Sequence, residues 1–134
     1  MFSAILLTIS TAALAQFALY YWRAVVAGVA AQPISDEVLA AAKIDGNGLT
    51  GRDFRAIAQL HHLTPTLQSG RSGLGLVGVY YNLIRGVGKL AAGRLASVAS
   101  WAERESVLCA RYAAVQVDRR LQNNLALAAA IRSC

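Results

Sequence analysis

From Phe2 to Trp22 the chain carries no charged side chain, and the first charge it meets is Arg23. At about 1.5 Å of rise per helical residue this run covers roughly 30 Å, the thickness of the hydrocarbon core of a bilayer, and it predicts a membrane-spanning helix. Tyr20, Tyr21, Trp22 and Arg23 close the run as a membrane–water boundary does, with amphipathic rings at headgroup level and a guanidinium reaching for phosphates. Inside it, Ala4, Thr8, Ala12 and Gln16 recur at every fourth position and share one helical face. Small residues at that spacing admit a second helix, and an amide in lipid gains from a hydrogen-bonding partner. A modest tilt would instead carry Gln16 to the headgroups.

Beyond Arg23 the polar and apolar positions predict a succession of helices. Residues 24–31 are apolar and extend the first helix until Pro33 ends it. Ser35 reads as an N-cap, with Asp36 and Glu37 at the positive end of a short helix over about 36–43. Thr50 and Asp53 have the spacing of a capping box for a helix over about 51–63, whose apolar face is Phe54, Ile57, Ala58 and Leu60. Residues 64–73, rich in Ser, Thr and Gly around Arg71, form a linker. A longer helix over about 74–99 follows, apolar along Val77, Tyr80, Tyr81, Ile84, Val87, Ala91, Leu95 and Val98 and polar along Asn82, Arg85, Lys89, Gly93 and Ser97. Gly86 and Gly88 weaken it by roughly 1 kcal/mol each relative to alanine. Gly88, Ala92, Ala96 and Ser100 repeat the every-fourth small-residue spacing. The last helix covers about 101–131, with a seam of Val107, Ala110, Ala114, Val117, Leu121, Asn124, Ala128 and Ile131 alternating three and four apart. Leu108, Tyr112 and Val115 widen that face beyond a two-stranded seam, which predicts burial against more than one helix. Neither Pro nor Gly occurs after Gly93, so residues 74–131 are compatible with a rod or with a folded bundle.

No alternating strand pattern accompanies these helices, and the expected class is all-α: residues 1–31 an anchor with a membrane-proximal helix, residues 32–134 a small helical domain. The net charge of +6 is distributed unevenly: after residue 63, Arg71, Arg85, Lys89 and Arg94 are met before any acid. Because no Lys or Arg precedes the apolar run and twelve follow it counting from Lys43, the domain is expected on the cytoplasmic side of the inner (cell) membrane, with the N-terminus outside. A secretory signal peptide cut after Ala15 is the rival, opposed by the lack of a basic leader and by the apolar Phe17–Trp22 that cutting would expose.

Candidate chemistry is sparse. Cys109 and Cys134, 25 positions apart on one expected helix, are too distant for a disulfide, and Cys134 is not four from the end as prenylation needs. Asp45, Asn47 and Gly48 resemble the middle of a calcium loop, yet the first and last ligand positions are Lys43 and Phe54, so the stretch reads as a turn. His61 and His62 are adjacent, about 100° apart around a helix, and do not share a metal easily. The glycines from Gly70 to Gly78 match no phosphate-loop spacing. No nucleophile–base or paired-carboxylate grouping stands out, so neither catalysis nor a cofactor, metal or small-molecule substrate is expected. The interspersed arginines, without a recognition module, speak against nucleic acid. What remains is a function by contact: a membrane-anchored accessory or assembly subunit, or a self-associating scaffold, working through Ala4, Thr8, Ala12 and Gln16 in the span and Val107, Ala114, Leu121 and Asn124 in the last helix. The alternative is a membrane-tethered regulator whose basic helix, through Arg85, Lys89 and Arg94, meets anionic lipid.

Overall fold

The computed structural model describes residues 1–41, 48–64 and 73–134, and the described residues are helical, without strands. Five helices follow one another: α1 (Phe2–Ala30), α2 (Asp36–Ala41), α3 (Phe54–Leu63), α4 (Leu74–Ala91) and α5 (Ala96–Ser133). The all-α class with a long apolar first helix and a long last one is therefore as the periodicity predicts. The linker from Pro65 to Ser72, the end of the short helix at Lys43 and the calcium-loop positions Asp45 and Asn47 lie outside the described residues. Gly48, just after them, has φ of 90°, a left-handed backbone that glycine adopts without a Cβ penalty.

α5 is the hub. Its 38 residues measure about 57 Å at the α-helical rise, and α1, α2, α3 and α4 all pack against it. Between Cys109 and Val117 it is covered on nearly every side: Cys109, Ala110, Tyr112, Ala113, Ala114, Val115 and Val117 are all buried. Alanines and a cysteine make this possible, because small side chains let several helices approach one backbone at once. The breadth of apolar positions around Tyr112 and Val115 thus meets several partners, as expected.

The sequence-based boundary between the last two helices moves. In place of helices over 74–99 and 101–131, α4 stops at Ala91 and α5 begins at Ala96, with a turn around Gly93 in which the amides of Arg94 and Leu95 bond to the Ala91 carbonyl at 3.0 and 2.9 Å. Leu95 and Ala96 therefore leave the α4 face on which they were placed. The turn folds α4 back antiparallel onto α5, so residues 74–131 are a hairpin and not a rod. Three pairs record the direction: Gly88 against Ala102, Tyr80 against Glu105, and Gly73 against the Tyr112 hydroxyl. At Gly88 an added Cβ would lie 3.0 Å from the Ala102 Cβ, so the small residue there sets how closely the two helices meet.

α1 and α3 run parallel to α5. Arg23 pairs with Glu105, and nine residues further on Gln32 accepts a hydrogen bond from Arg119 at 2.7 Å. In the turn before α3, Gly51 lies against Ser106, and near the end of α3 the His61 carbonyl accepts from Arg120 at 3.2 Å. The core gathers where these helices cross, around Val26, Val38, Ile57, Val77, Tyr81, Ile84 and the buried arc of α5. Phe54 stacks on Tyr81 with ring centroids 4.2 Å apart, and the Tyr81 hydroxyl donates to the Gly51 carbonyl at 2.7 Å.

Of the two expected caps, one forms ahead of its helix and the other takes a different partner. The Asp53 carboxylate does reach back, accepting from the Thr50 amide at 2.8 Å and from its hydroxyl at 2.7 Å, but the pair closes a turn before α3 begins at Phe54. Ser35 donates its hydroxyl to Asp118 on α5, so it ties the α1–α2 corner to the hub instead of capping α2.

Candidate membrane and helix-contact site

Exposure along α1 changes abruptly at one place. Every residue from Met1 to Tyr21 is exposed, Trp22 is half-buried, and Val26 and Ala30 are buried in the core. One unbroken helix therefore serves as a bare stem for its first two thirds and as a structural member of the domain for the rest. Among the described residues this is the one helix long and apolar enough to cross a membrane. Ala4, Thr8, Ala12 and Gln16 all lie on the stem and are exposed. The Thr8 and Thr11 hydroxyls donate to the carbonyls four residues back, Ala4 and Leu7, each at 2.7 Å, which satisfies them inside the helix.

At the foot of the stem, Tyr20 and Tyr21 are exposed, whereas Trp22 packs against the core. Arg23 is turned toward the protein: its guanidinium pairs with Glu105, a carboxylate 2% exposed, while half of the arginine side chain stays open to solvent. Tyr80 completes the group, donating its hydroxyl to the other Glu105 oxygen at 3.1 Å. Burial, together with the neighbouring carboxylate, pushes the Tyr80 phenol up to about 12 and keeps it a donor. Glu105 is absent from the residues singled out in the sequence, although its position betrays it. It falls between Ala102 and Cys109 on the apolar side of α5, where an acid has to find a partner.

Arg85, Lys89 and Arg94 stand near the α4–α5 turn. Arg85 is half-buried, donating to the Tyr81 hydroxyl at 3.3 Å with its guanidinium 5.8 Å from the centre of that ring, while Lys89 and Arg94 are exposed. With Arg52, Arg85 and Lys89 border an open cleft of about 380 Å³ whose floor is Gly88, Ala92, Ala99 and Ala102 and whose one acid is Glu103. Nothing in the sequence placed Arg52 there, because only the packing of Gly51 on Ser106 brings the two segments together.

The seam of α5 divides in two. Ala110, Ala114 and Val117 are buried and Val107 and Leu121 half-buried against this chain's own helices, while Ala128 and Ile131 are exposed. Asn124 is half-buried and takes part in an interaction. Further outward-facing apolar surface lies on the far side of α4, where Leu76, Val79, Leu83, Val87 and Leu90 are from 44% to 85% exposed; Val87, expected on the face of Val77, Tyr81 and Ile84, turns outward instead. The three-and-four spacing of these outward residues is legible in the sequence, but it is masked there by the more aromatic face beside it.

Among the described residues no group of three or more His, Cys, Asp or Glu side chains comes together as a metal would require. His61 is buried beside a groove of about 250 Å³ lined also by Phe54, His62 and Leu74, and its Nε2 has no hydrogen-bond partner among the described residues. Burial first, then the Arg120 charge and His62, lower its pKa to about 4, so the ring is neutral at pH 7. Comparison of the chain with models of protein families, with curated proteins and with solved structures finds no match.

Proposed function

We propose that the protein is a membrane-anchored accessory or assembly subunit, or a scaffold, that acts through helix–helix contacts and carries no catalytic site of its own. The observation that carries this reading is the break at Trp22, before which every residue of a long apolar helix is exposed. Such a surface is stable only in lipid or against other apolar helices. The Ala4, Thr8, Ala12 and Gln16 face, the Leu76, Val79 and Leu83 part of the outer α4 stripe and the last turns of α5 are the surfaces offered to a partner. The domain stands on the cytoplasmic face of the inner membrane, by the excess of Lys and Arg after the stem.

Extraction in mild detergent followed by native mass measurement tests the reading. A subunit carries stoichiometric partners that are lost when Ala4, Thr8, Ala12 and Gln16 are all replaced by Leu. Unchanged association would remove the stem face from consideration. An N-terminus at Gln16 in the mature protein, together with release by a salt wash, would remove the anchor itself. A second reading, a tethered regulator responding to anionic lipid, draws support from the cleft bordered by Arg52, Arg85 and Lys89. In that case the extracted protein runs alone or as a simple oligomer.

A further inference from the structure

We infer that the α4–α5 turn is a second membrane contact, in which Leu90 and Leu95 enter the headgroup layer beside the stem and the cations around them take phosphates of anionic lipid. The inference rests on α1 being a membrane anchor, and it holds for a subunit or a regulator alike.

The direction of the helices places the turn. Arg23 pairs with Glu105 and Gln32 with Arg119, so going from Glu105 toward the start of α5 is going the same way as from Arg23 up the stem. Nine residues of α5, about 14 Å of helix, separate Glu105 from Ala96. The antiparallel return of α4 brings its C-terminal end to the same place, since Gly88 lies against Ala102. The turn therefore lies on the side of the domain from which the stem leaves. Because every residue from Met1 to Tyr21 is exposed, the stem diverges from α5 above Trp22, so a stem that enters lipid sets the turn against the bilayer surface and not alongside Leu14.

The side chains there suit that position. Leu90 is 85% exposed and Leu95 56% exposed, on a turn with no core beneath them to cover them. Lys89 and Arg94 flank these leucines and are exposed, and Arg52 and Arg85 face the adjoining cleft. Between Arg85 and Arg104 the chain has four basic residues and one acid, Glu103, which borders the same cleft. An apolar tip ringed by cations is complementary to a surface of acyl chains under anionic phosphates. The alternative occupant, a protein, would have to meet the same ring of positive charge immediately beside a bilayer.

The test uses the full chain in vesicles, with Cys134→Ser removing the exposed thiol and Cys109 left in place because it is buried. Single cysteines are introduced as Leu14→Cys, Leu90→Cys, Leu95→Cys and Ala128→Cys and carry a nitroxide. Collision with oxygen, which concentrates in lipid, is compared with collision with a water-soluble nickel complex. In vesicles of mixed zwitterionic and anionic phospholipid the expected result is a lipid-like ratio at Leu14, an interfacial ratio at Leu90 and Leu95, and a watery one at Ala128. Lys89→Glu with Arg94→Glu should shift the Leu90 label toward water, by about fivefold in occupancy for each basic group lost, and leave Leu14 unchanged. Labels at Leu90 and Leu95 as watery as the one at Ala128, with Leu14 still in lipid, would overturn the second contact and spare the anchor. Leu14 in water would overturn both. Shielding of Leu90 from both reagents would mean that protein covers the turn, and the lipid assignment would fall.

Discussion

Glu105 is held almost out of solvent by two groups, a guanidinium from the foot of the stem and a phenol from α4. Taking one partner from a buried carboxylate leaves its desolvation uncompensated, so Arg23→Ala should destabilise the domain by about 1–3 kcal/mol, moderated by the half of Arg23 that water already reaches. Glu105→Gln, which keeps an acceptor for Tyr80, should lose less, and denaturant titration of the two variants checks the order. Gly51 answers to sterics instead: an added Cβ would sit 2.5 Å from the Ser106 Cβ. Gly51→Ala is expected to cost about 1–3 kcal/mol, and Ser106→Gly in the same chain should recover most of it, a coupling that a double-mutant cycle reads directly.

His61 supplies the pH dependence. Its ring is neutral in the folded chain down to about pH 4, whereas the unfolded chain takes up a proton near 6.5. The unfolded state therefore binds more protons between those values, and the stability held at pH 7 is lost as the pH falls through that window, by an amount of order 1–3 kcal/mol. Thermal unfolding at pH 7 and pH 4.5 should show the loss, and His61→Leu should remove most of it. The two thiols separate by burial in the same way. Cys109, buried and pushed up to about 12 by desolvation and by Glu105, should resist maleimide until the protein unfolds, while Cys134 reacts at once.

At the scale of elements, α4 is apolar on two sides, and the two sides have different fates. Val77, Tyr81 and Ile84 are in the core, and Leu76, Val79 and Leu83 are outside it. Replacing the outer three by Gln should leave the unfolding free energy within about 0.5 kcal/mol of the parent, because they are exposed and Gln is a good helix former, and should remove a partner that docks there. Tyr81→Phe, which deletes the bond to the Gly51 carbonyl, should by contrast cost about 1 kcal/mol. The helix starts show how far local signals reach. Asp53 does bond back to Thr50, as three-residue spacing implies, but Ser35 turns to Asp118, 83 residues away. A cap is a local preference of about 1 kcal/mol, and a long-range carboxylate outbids it without leaving any trace in the neighbouring sequence.

For the whole molecule the question is where the stem stops being separable. Val26 and Ala30 belong to the core, and Trp22 packs at its edge. A chain beginning at Trp22 should fold with its helicity intact and stay in solution, whereas one beginning at Ser35 should lose cooperative unfolding because α5 is stripped along one side. Far-UV circular dichroism with denaturant compares the two.

The amino-acid sequence by itself determined the helical class, the apolar first helix with its boundary near Trp22, the inward face of α3 and the breadth of the apolar surface on α5. Each of these is periodicity acting within one helix, where side chains three and four apart share a face whatever the rest of the chain does. Tertiary structure decided the hairpin at Gly93, the assignment of one α4 face to the core and the other to the outside, the turning of Arg23 onto Glu105 and the arrival of Arg52 beside Arg85. Those depend on which helices lie together and in which direction. Direction comes from small contacts such as Gly88 on Ala102 and Gly51 on Ser106, where two backbones far apart in the chain approach closely because neither carries bulk.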